Sequence, residues 1–571
     1  MKTLRRTSAE RTIKVAFLVV FALSLADQLF VPPTIGLANN GDFQKMASWF
    51  NRVPVFSAPT FMTGDYGYFS PKYIPEVHSI LSSPLEARDL ERFLHSPAYS
   101  LQYPWRSDED FVQLLYSTIW CFAPSPADRQ YWLDVLHRPG SSRSDLLHDF
   151  LNHPNFQKGA LIFRSQRLLS STPLFIAPAF WISSSFSRNG VADLRLLGFV
   201  YSSILISVLS WTVLSLRGLS RISWIILLAV TWLVFADTAW ISQLNSLLTD
   251  TSATVSLFVA LLSLTRMAVK GETRTGWIVT LAGVFLFTTS KLQHLLPGLC
   301  IAGALSLYAW KTSSPYRRWI AMSSAMVFAG CLILILYTSP QYSIPNKHQA
   351  IFRNVVPYAP DPAGALRQLG LPTGYVRYTG TTAYQEGTPL SSPEFVAKIA
   401  AVPRLSLGWF YLTHPSVVIK VILRDLGDKS LHRLYYLGNF EQSAGHSPQS
   451  QSHSFSAWSD WKIAHLADHP IRCAALYLGS ILAMWLALWR ARSQAPDMLW
   501  LAAFVITMCA GLEFATAALA DGLDNGRHLS IFVRLSELCL VSALYGTLFH
   551  VESLSAAQPS AVRLNVSSAR G

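Results

Sequence analysis

Residues 195–237 read RLLGFVYSSILISVLSWTVLSLRGLSRISWIILLAVTWLVFAD. Two apolar runs, at 195–216 and 222–238, are each close to the length of about 20 residues that crosses a hydrocarbon core. The link between them is short and carries Arg217 and Arg221 without an acid. Short basic links of this kind stay on the cytoplasmic side.

The rest of the chain repeats this pattern. Its 571 residues are 51% hydrophobic and only 14% charged, with a mean hydropathy of +0.30. That is too apolar for a soluble protein of this length. Apolar runs at 13–32, 195–216, 222–238, 251–269, 276–290, 294–310, 318–337, 470–490, 497–518 and 529–548 predict an all-α polytopic membrane protein of about ten transmembrane helices. The run at 276–290 is the shortest.

The net charge of +13 is distributed by this topology and does not point to nucleic acid. Lys2, Arg5, Arg6, Arg11 and Lys14 precede the first span. Arg266, Lys270 and Arg274 lie between the fourth and fifth, Lys311, Arg317 and Arg318 between the sixth and seventh, and Arg490 and Arg492 between the eighth and ninth. Every second connection is basic, so both termini are expected in the cytoplasm. The first span lacks a small-x-small cleavage site and runs into Val31-Pro32-Pro33, which reads as a retained anchor. The expected order is an N-terminus and first span at 1–32, an extracytoplasmic loop at 33–194, spans two to seven at 195–337, a second extracytoplasmic loop at 338–469, spans eight to ten at 470–548, and a cytoplasmic tail at 549–571. No Walker motif and no large cytoplasmic segment are present, so chemistry is expected in the two long loops. Five of the six cysteines fall in or beside spans, and only Cys121 lies in a long loop, so no disulfide framework or CxxC metal pattern exists.

Within the first loop, residues 107–157 read as a small helical unit. Phe111-Val112 and Leu115-Tyr116 have helical spacing, Tyr131-Trp132 and Leu136 resume the apolar face, and Ser142-Arg143-Ser144-Asp145 starts a further helix. With Asn152, Pro154 and Phe156 at its end, the stretch resembles an uncharacterised helical domain appended to bacterial secreted and glycan-related proteins. The apolar stretch up to Phe186, interrupted by Pro173 and Pro178, predicts helices lying on the outer membrane surface.

The outer ends of the spans collect polar residues: Asp237, Gln243, Asn245 and Asp250; Lys291, Gln293 and His294; and Asp524, Arg527 and His528. Ionisable groups at such depths face internal cavities. Asp42, in Asn39-Asn40-Gly41-Asp42-Phe43, lies just beyond the first span on the same side. Glycosyl transfer from a lipid-phosphate sugar suits this set. A carboxylate takes the acceptor proton, for which Asp42 is the candidate. A cation stabilises the departing phosphate, for which Arg527, Lys291 and His528 are candidates. Asp237, Asn245, Gln293, His294 and Asp524 offer polar partners for sugar hydroxyls.

These stretches carry a resemblance over nearly the whole chain outside 82–157. Gly36 to Phe43, Tyr68 to Tyr73, Asp237 with Asn245-Ser246, Ser290 to Gln293 and Asp524 with Arg527-His528 resemble the GT-C class of membrane glycosyltransferases, and more closely a bacterial subgroup of glycan-biosynthesis hexose transferases. In the second loop so do Asn346-Lys347, Asp361-Pro362, Leu369 to Pro372 and Phe410 to Pro415. The resemblance implies a bacterial inner-membrane enzyme with an extracytoplasmic site, a polyprenyl-phosphate sugar donor, a glycan or lipid-linked acceptor, an aspartate base in the first loop and inversion at the anomeric carbon. It assigns the base to Asp42. Asp42 lacks the adjacent second acid common in the class, and Asp65 shares its loop. Metal use varies in the class, and no metal or other cofactor signature is visible here. Two other readings remain open: a glycan-lipid flippase, and an O-antigen-type polymerase or ligase drawing on Arg353, Arg367, Arg404, Arg424 and Arg433.

Overall fold

The computed structural model describes residues 2–38, 41–50, 52–54, 68–75, 107–116, 126–153, 168–186, 192–338, 343–383, 389–447, 449–493 and 495–557. Each of the ten expected spans is a helix: α1 (Lys2–Phe30), α7 (Arg195–Val213), α8 (Arg221–Phe235), α9 (Thr249–Lys270), α10 (Arg274–Thr288), α11 (Leu295–Lys311), α12 (Arg317–Tyr337), α18 (Pro470–Arg490), α19 (Asp497–Ala520) and α20 (Ser530–Ala557). Eight of them are long and apolar enough to cross a membrane. α8 qualifies together with the bent continuation Thr238–Leu244, turned by 53°, and α10 is a shorter apolar helix of 15 residues. The protein is an all-α polytopic membrane protein.

Two ends differ from expectation. α1 starts at Lys2, well before residue 13, and Lys14 within it is paired. Its Nζ lies 2.5 Å from Glu10 Oε1 and from the Leu216 carbonyl, and 4.1 Å above the Trp224 ring. α20 runs on to Ala557, so the expected tail from 549 begins as helix. The Glu552 carboxylate accepts from the Ser220 amide at 2.6 Å and from the Ser223 hydroxyl, and the Tyr545 hydroxyl donates to the Arg217 carbonyl at 3.2 Å. These bonds anchor the extension to the link between α7 and α8.

The two long loops meet at the other end of the bundle. β1 (Ile35–Leu37) in the first loop pairs antiparallel with β5 (Leu437–Phe440) in the second, and β2 (Arg52–Pro54), β3 (Lys72–Pro75) and β4 (Ala192–Asp193) form a second small sheet. α2 (Gly41–Ala47) follows β1 and buries Phe43, Met46 and Ala47. In the helical unit, α3 (Asp108–Leu115), α4 (Pro126–Leu136) and α5 (Arg143–Asn152) enclose Phe111, Tyr116, Trp132 and Phe150. Ser142 and Asp145 close a reciprocal capping box at the start of α5. Of the expected apolar pair there, Trp132 is buried and Tyr131 is exposed. α6 (Pro173–Phe186) presents Leu174, Trp181 and Phe186 outward.

The second loop has its own core, built from α13 (Ser343–Gln349), a π-helical turn at Ala350–Val355, α14 (Pro393–Ala401), α15 (Arg404–Thr413) and α16 (Pro415–Gly427). Phe352, Leu366, Phe395, Ile399, Phe410, Val417 and Val421 fill it, with Ala518 of α19 beneath. α17 (Ala457–Leu466) then leads into α18.

Close backbone approach sets the bundle packing. A Cβ on Gly283 of α10 would lie 2.7 Å from the Ser256 carbonyl of α9, so only glycine lets these helices touch. A Cβ on Gly198 would lie 2.0 Å from Asn245 Oδ1. The Asn245 amide in turn donates to the Leu29 carbonyl at 3.2 Å and the Ile35 carbonyl at 3.0 Å, joining α1 to β1. Removing it leaves two buried carbonyls without this donor. Asn245→Ala is expected to lower stability by about 2–3 kcal/mol, read as an earlier unfolding midpoint of the purified protein in detergent; an unchanged midpoint would show that the clamp is not a structural one.

Candidate functional site

The polar residues at the loop end of the bundle form one connected group. Asp250 stands in the first turn of α9, where the helix dipole favours a carboxylate. Lys291 lies in the link between α10 and α11 and reaches back to it. Its Nζ is 2.9 Å from Asp250 Oδ1, 3.2 Å from Oδ2 and 2.9 Å from His528 Nδ1. Arg527 joins from the link between α19 and α20, with Nε 3.3 Å from Asp524 Oδ2 and 4.0 Å from Asp250 Oδ2. His528 stands between the two cations, with Arg527 3.3 Å from its Nε2. Its Nδ1 faces Lys291, and its Nε2 faces Arg527 and, at 3.6 Å, Asp521 Oδ2.

A buried carboxylate supports this group from behind. Glu513, inside α19, accepts from Gln293 Nε2 at 2.9 Å and lies 2.7 Å from His294 Nδ1, and Gln293 also donates to the His528 carbonyl at 3.0 Å. Both His294 and Glu513 are fully buried, and His294 Nε2 has no hydrogen-bond partner among the described residues. Asp521 accepts from the amides of Gly522 and Leu523 at 2.7 and 3.1 Å. Burial nevertheless pushes its carboxyl up to about 6, against the pull of those amides and of Arg527 and Lys291.

Lys291, Gln293, His294, Asp524, Arg527 and His528 therefore sit together. Asp237 and Asn245 spend their hydrogen bonds on backbone groups elsewhere. Asp237 caps Thr238–Ile241 through the Ala239 amide at 2.8 Å and accepts from the Ser459 amide at 2.8 Å, fastening the break after α8 to α17. Asp42 is the second residue of α2, and Ala38, four residues earlier, donates to the Tyr436 carbonyl at 3.1 Å. The Tyr436 hydroxyl sits 2.7 and 2.6 Å from the two oxygens of Asp524, which takes the left-handed backbone conformation at φ +56°. Strand pairing thus carries the chain of the Asp42 segment to the residue that holds Asp524. Asp65 lies outside the described residues. Among the described residues, no group of three or more His, Cys, Asp or Glu is arranged to hold a metal ion.

The sequence reading gathered Asp250 at the outer rim without giving it a role, and it did not single out Glu513. Glu513 carried a signal, since a lone acid in an otherwise apolar span demands a buried partner. A second buried nest was not singled out either. Glu537 of α20 lies 2.6 Å from Lys462 Nζ, 2.8 Å from Arg534 and 2.7 Å from Trp458 Nε1, and Arg534 also donates to the Ala239 carbonyl at 2.8 Å.

The model of the YfdI N-terminal transmembrane domain matches residues 140–560, 421 of the 571. The chain belongs to that family. Membership links it to membrane glycosyltransferases. The YfdI match contains every member of the Lys291 group; Asp42 precedes it. A domain of unknown function, DUF4214, matches residues 90–159 and so takes in the helical unit α3–α5. No curated protein and no solved structure matches the chain.

Because the folded state raises the Asp521 carboxyl above its ordinary 3.8, the folded protein binds more protons than the unfolded chain between those values. The associated stability is fully present below the unfolded value and is lost as pH rises through about 6, on the order of 3 kcal/mol in total. Melting between pH 5 and 8 should accordingly be less pH-dependent in Asp521→Asn than in the parent chain. Equal pH slopes in the two proteins would remove Asp521 as the source.

Proposed function

We propose that the protein is a glycosyltransferase that moves a sugar from a polyprenyl-phosphate donor to an extracytoplasmic glycan or lipid-linked acceptor. The observation that carries this reading is the Lys291–Asp250–His528–Arg527 group, built on the ends of membrane helices at the loop side. A lipid-borne phosphate travels at that depth. Lys291 and Arg527 supply charge-assisted hydrogen bonds to it as it departs. The carboxylates now beside them hold them in place, and Glu513 keeps Gln293 and His294 oriented.

In this mechanism Asp42 removes the proton of the acceptor hydroxyl while its oxygen attacks the anomeric carbon from the face opposite the phosphate. The bond from the anomeric carbon to the phosphate oxygen breaks, the phosphate leaves with the electron pair, and the configuration inverts. The resemblance of the Asp42 segment supports this assignment, and family membership supports the reaction class.

The polymerase or ligase reading depends on loop arginines reaching substrate. Arg353 donates to the Gly522 carbonyl at 2.8 Å, Arg424 to the Arg353 carbonyl at 3.0 Å, and Arg433 to the Ser452 carbonyl at 2.5 Å. These three arginines brace the loop and so favour the transferase reading, while Arg367 and Arg404 are exposed.

The test uses membranes containing the full chain and a radiolabelled polyprenyl-phosphate sugar. Label should pass into an acceptor with the parent chain, fall by about 10²-fold or more in Asp42→Ala, and change only a few-fold in Asp65→Ala. Full transfer by Asp42→Ala would remove it as the base. Movement of the intact sugar lipid across the bilayer without a new glycosidic bond would replace the transferase reading with a flippase.

A further inference from the structure

The second loop carries an apolar comb that faces away from its own core. In α15, Leu405, Gly408, Trp409 and Leu412 recur at i, i+3, i+4 and i+7; Leu405 is 87%, Trp409 67% and Leu412 77% exposed. The opposite face is buried through Leu407, Phe410 and Tyr411, and the Tyr411 hydroxyl donates to the Leu519 carbonyl at 3.0 Å. α16 continues the pattern, with Ile419 and Leu423 exposed and Val417 and Val421 buried.

α14 and α15 together are apolar enough to count as a span, but they are bent by 64° where they meet at Pro403. Their nine and ten residues extend about 14 and 15 Å at 1.5 Å per residue. That is roughly half the hydrocarbon thickness for each. Neither helix alone is long enough to cross both leaflets.

We propose that α15 and the outer face of α16 are seated in the lipid leaflet on the loop side, with acyl chains against Leu405, Trp409, Leu412 and Ile419. Two observations select lipid over a protein partner. The end of α16 abuts a membrane span: a Cβ on Gly427 would stand 3.5 Å from Pro470, the first residue of α18, whose Ile471, Leu478 and Leu482 are exposed as lipid-facing side chains are. Exposed Lys398, Arg404 and Lys420 flank the comb, as suits anionic headgroups above buried acyl chains. The seat is also tied to the polar group. Asp425 of α16 accepts from Asn525 at 2.9 Å, two residues before Arg527, and Arg424 donates to Asn354 at 2.8 Å. Leaflet contact therefore fixes the height of the Asp524–His528 segment at the membrane boundary. The proposal holds whether or not the protein transfers sugar.

The test is fluorescence quenching of the full chain in nanodiscs of anionic phospholipid. Trp409→Cys, Leu412→Cys and, as a water-facing reference, Thr373→Cys are labelled with a small fluorophore, with the identically treated parent chain as baseline. A nitroxide on the lipid acyl chain should quench positions 409 and 412 at least about twofold more than 373, and aqueous iodide should do the reverse. Iodide quenching at 409 and 412 equal to that at 373, with no effect of the lipid nitroxide, would overturn the proposal. So would protection from both quenchers only at high protein concentration, which would make the face a contact between copies.

Discussion

The ion pair between Lys291 and Asp250 is the constraint around which the loop end of the bundle is organised. A charge at a membrane boundary is costly unless paired, and breaking a buried pair costs far more than an exposed one. This pair closes α9 onto the link between α10 and α11. His528 then brings α20 to the same point through the Lys291 ammonium, and Arg527 reaches Asp250 from the other side. Glu513 adds α19 by holding Gln293 and His294. Five helices thus converge on one polar group, and the second long loop is fastened above it by Asn354, Arg353 and Tyr436.

The same physics explains what was readable in the chain. Bilayer thickness sets the length of an apolar run, so the spans from Arg195 onward could be placed directly, and charge alternation could gather Lys291, His294 and Arg527 at one end. Pairing is a different matter. Asp250 and Lys291 are 41 residues apart, and Gln293 and Glu513 are 220 apart; no local pattern links them. Asp237 and Asn245 looked in sequence like members of the same rim. Both are polar residues at a span end, and only the three-dimensional path shows that their partners are the backbone of Ser459, Leu29 and Ile35. The partners of Lys14 and Glu552 near the helix ends were equally out of reach, some 200 and 330 positions away.

The side chains at the loop end differ in what they bond to. Groups fastened to carbonyls and amides, such as Asn245 and Arg433, hold loops on helices. The Lys291 group bonds largely side chain to side chain and includes two histidines and a carboxyl raised to about 6, a composition that suits the proposed handling of protons and negative charge. In the proposed reaction that division places the base on the first loop, the phosphate cations on the bundle, and the segment joining them at the β1–β5 pairing. A membrane-seated α15–α16 hairpin would hold this assembly at the depth where a lipid phosphate arrives.

The most direct measurement is a structure of the full chain in nanodiscs with a non-hydrolysable polyprenyl-phosphate sugar analogue. The account predicts the phosphate within about 4 Å of Lys291 or Arg527, and the sugar turned toward Asp42. A phosphate bound at the opposite, basic end of the bundle, or a sugar remote from the Asp42 segment, would contradict it.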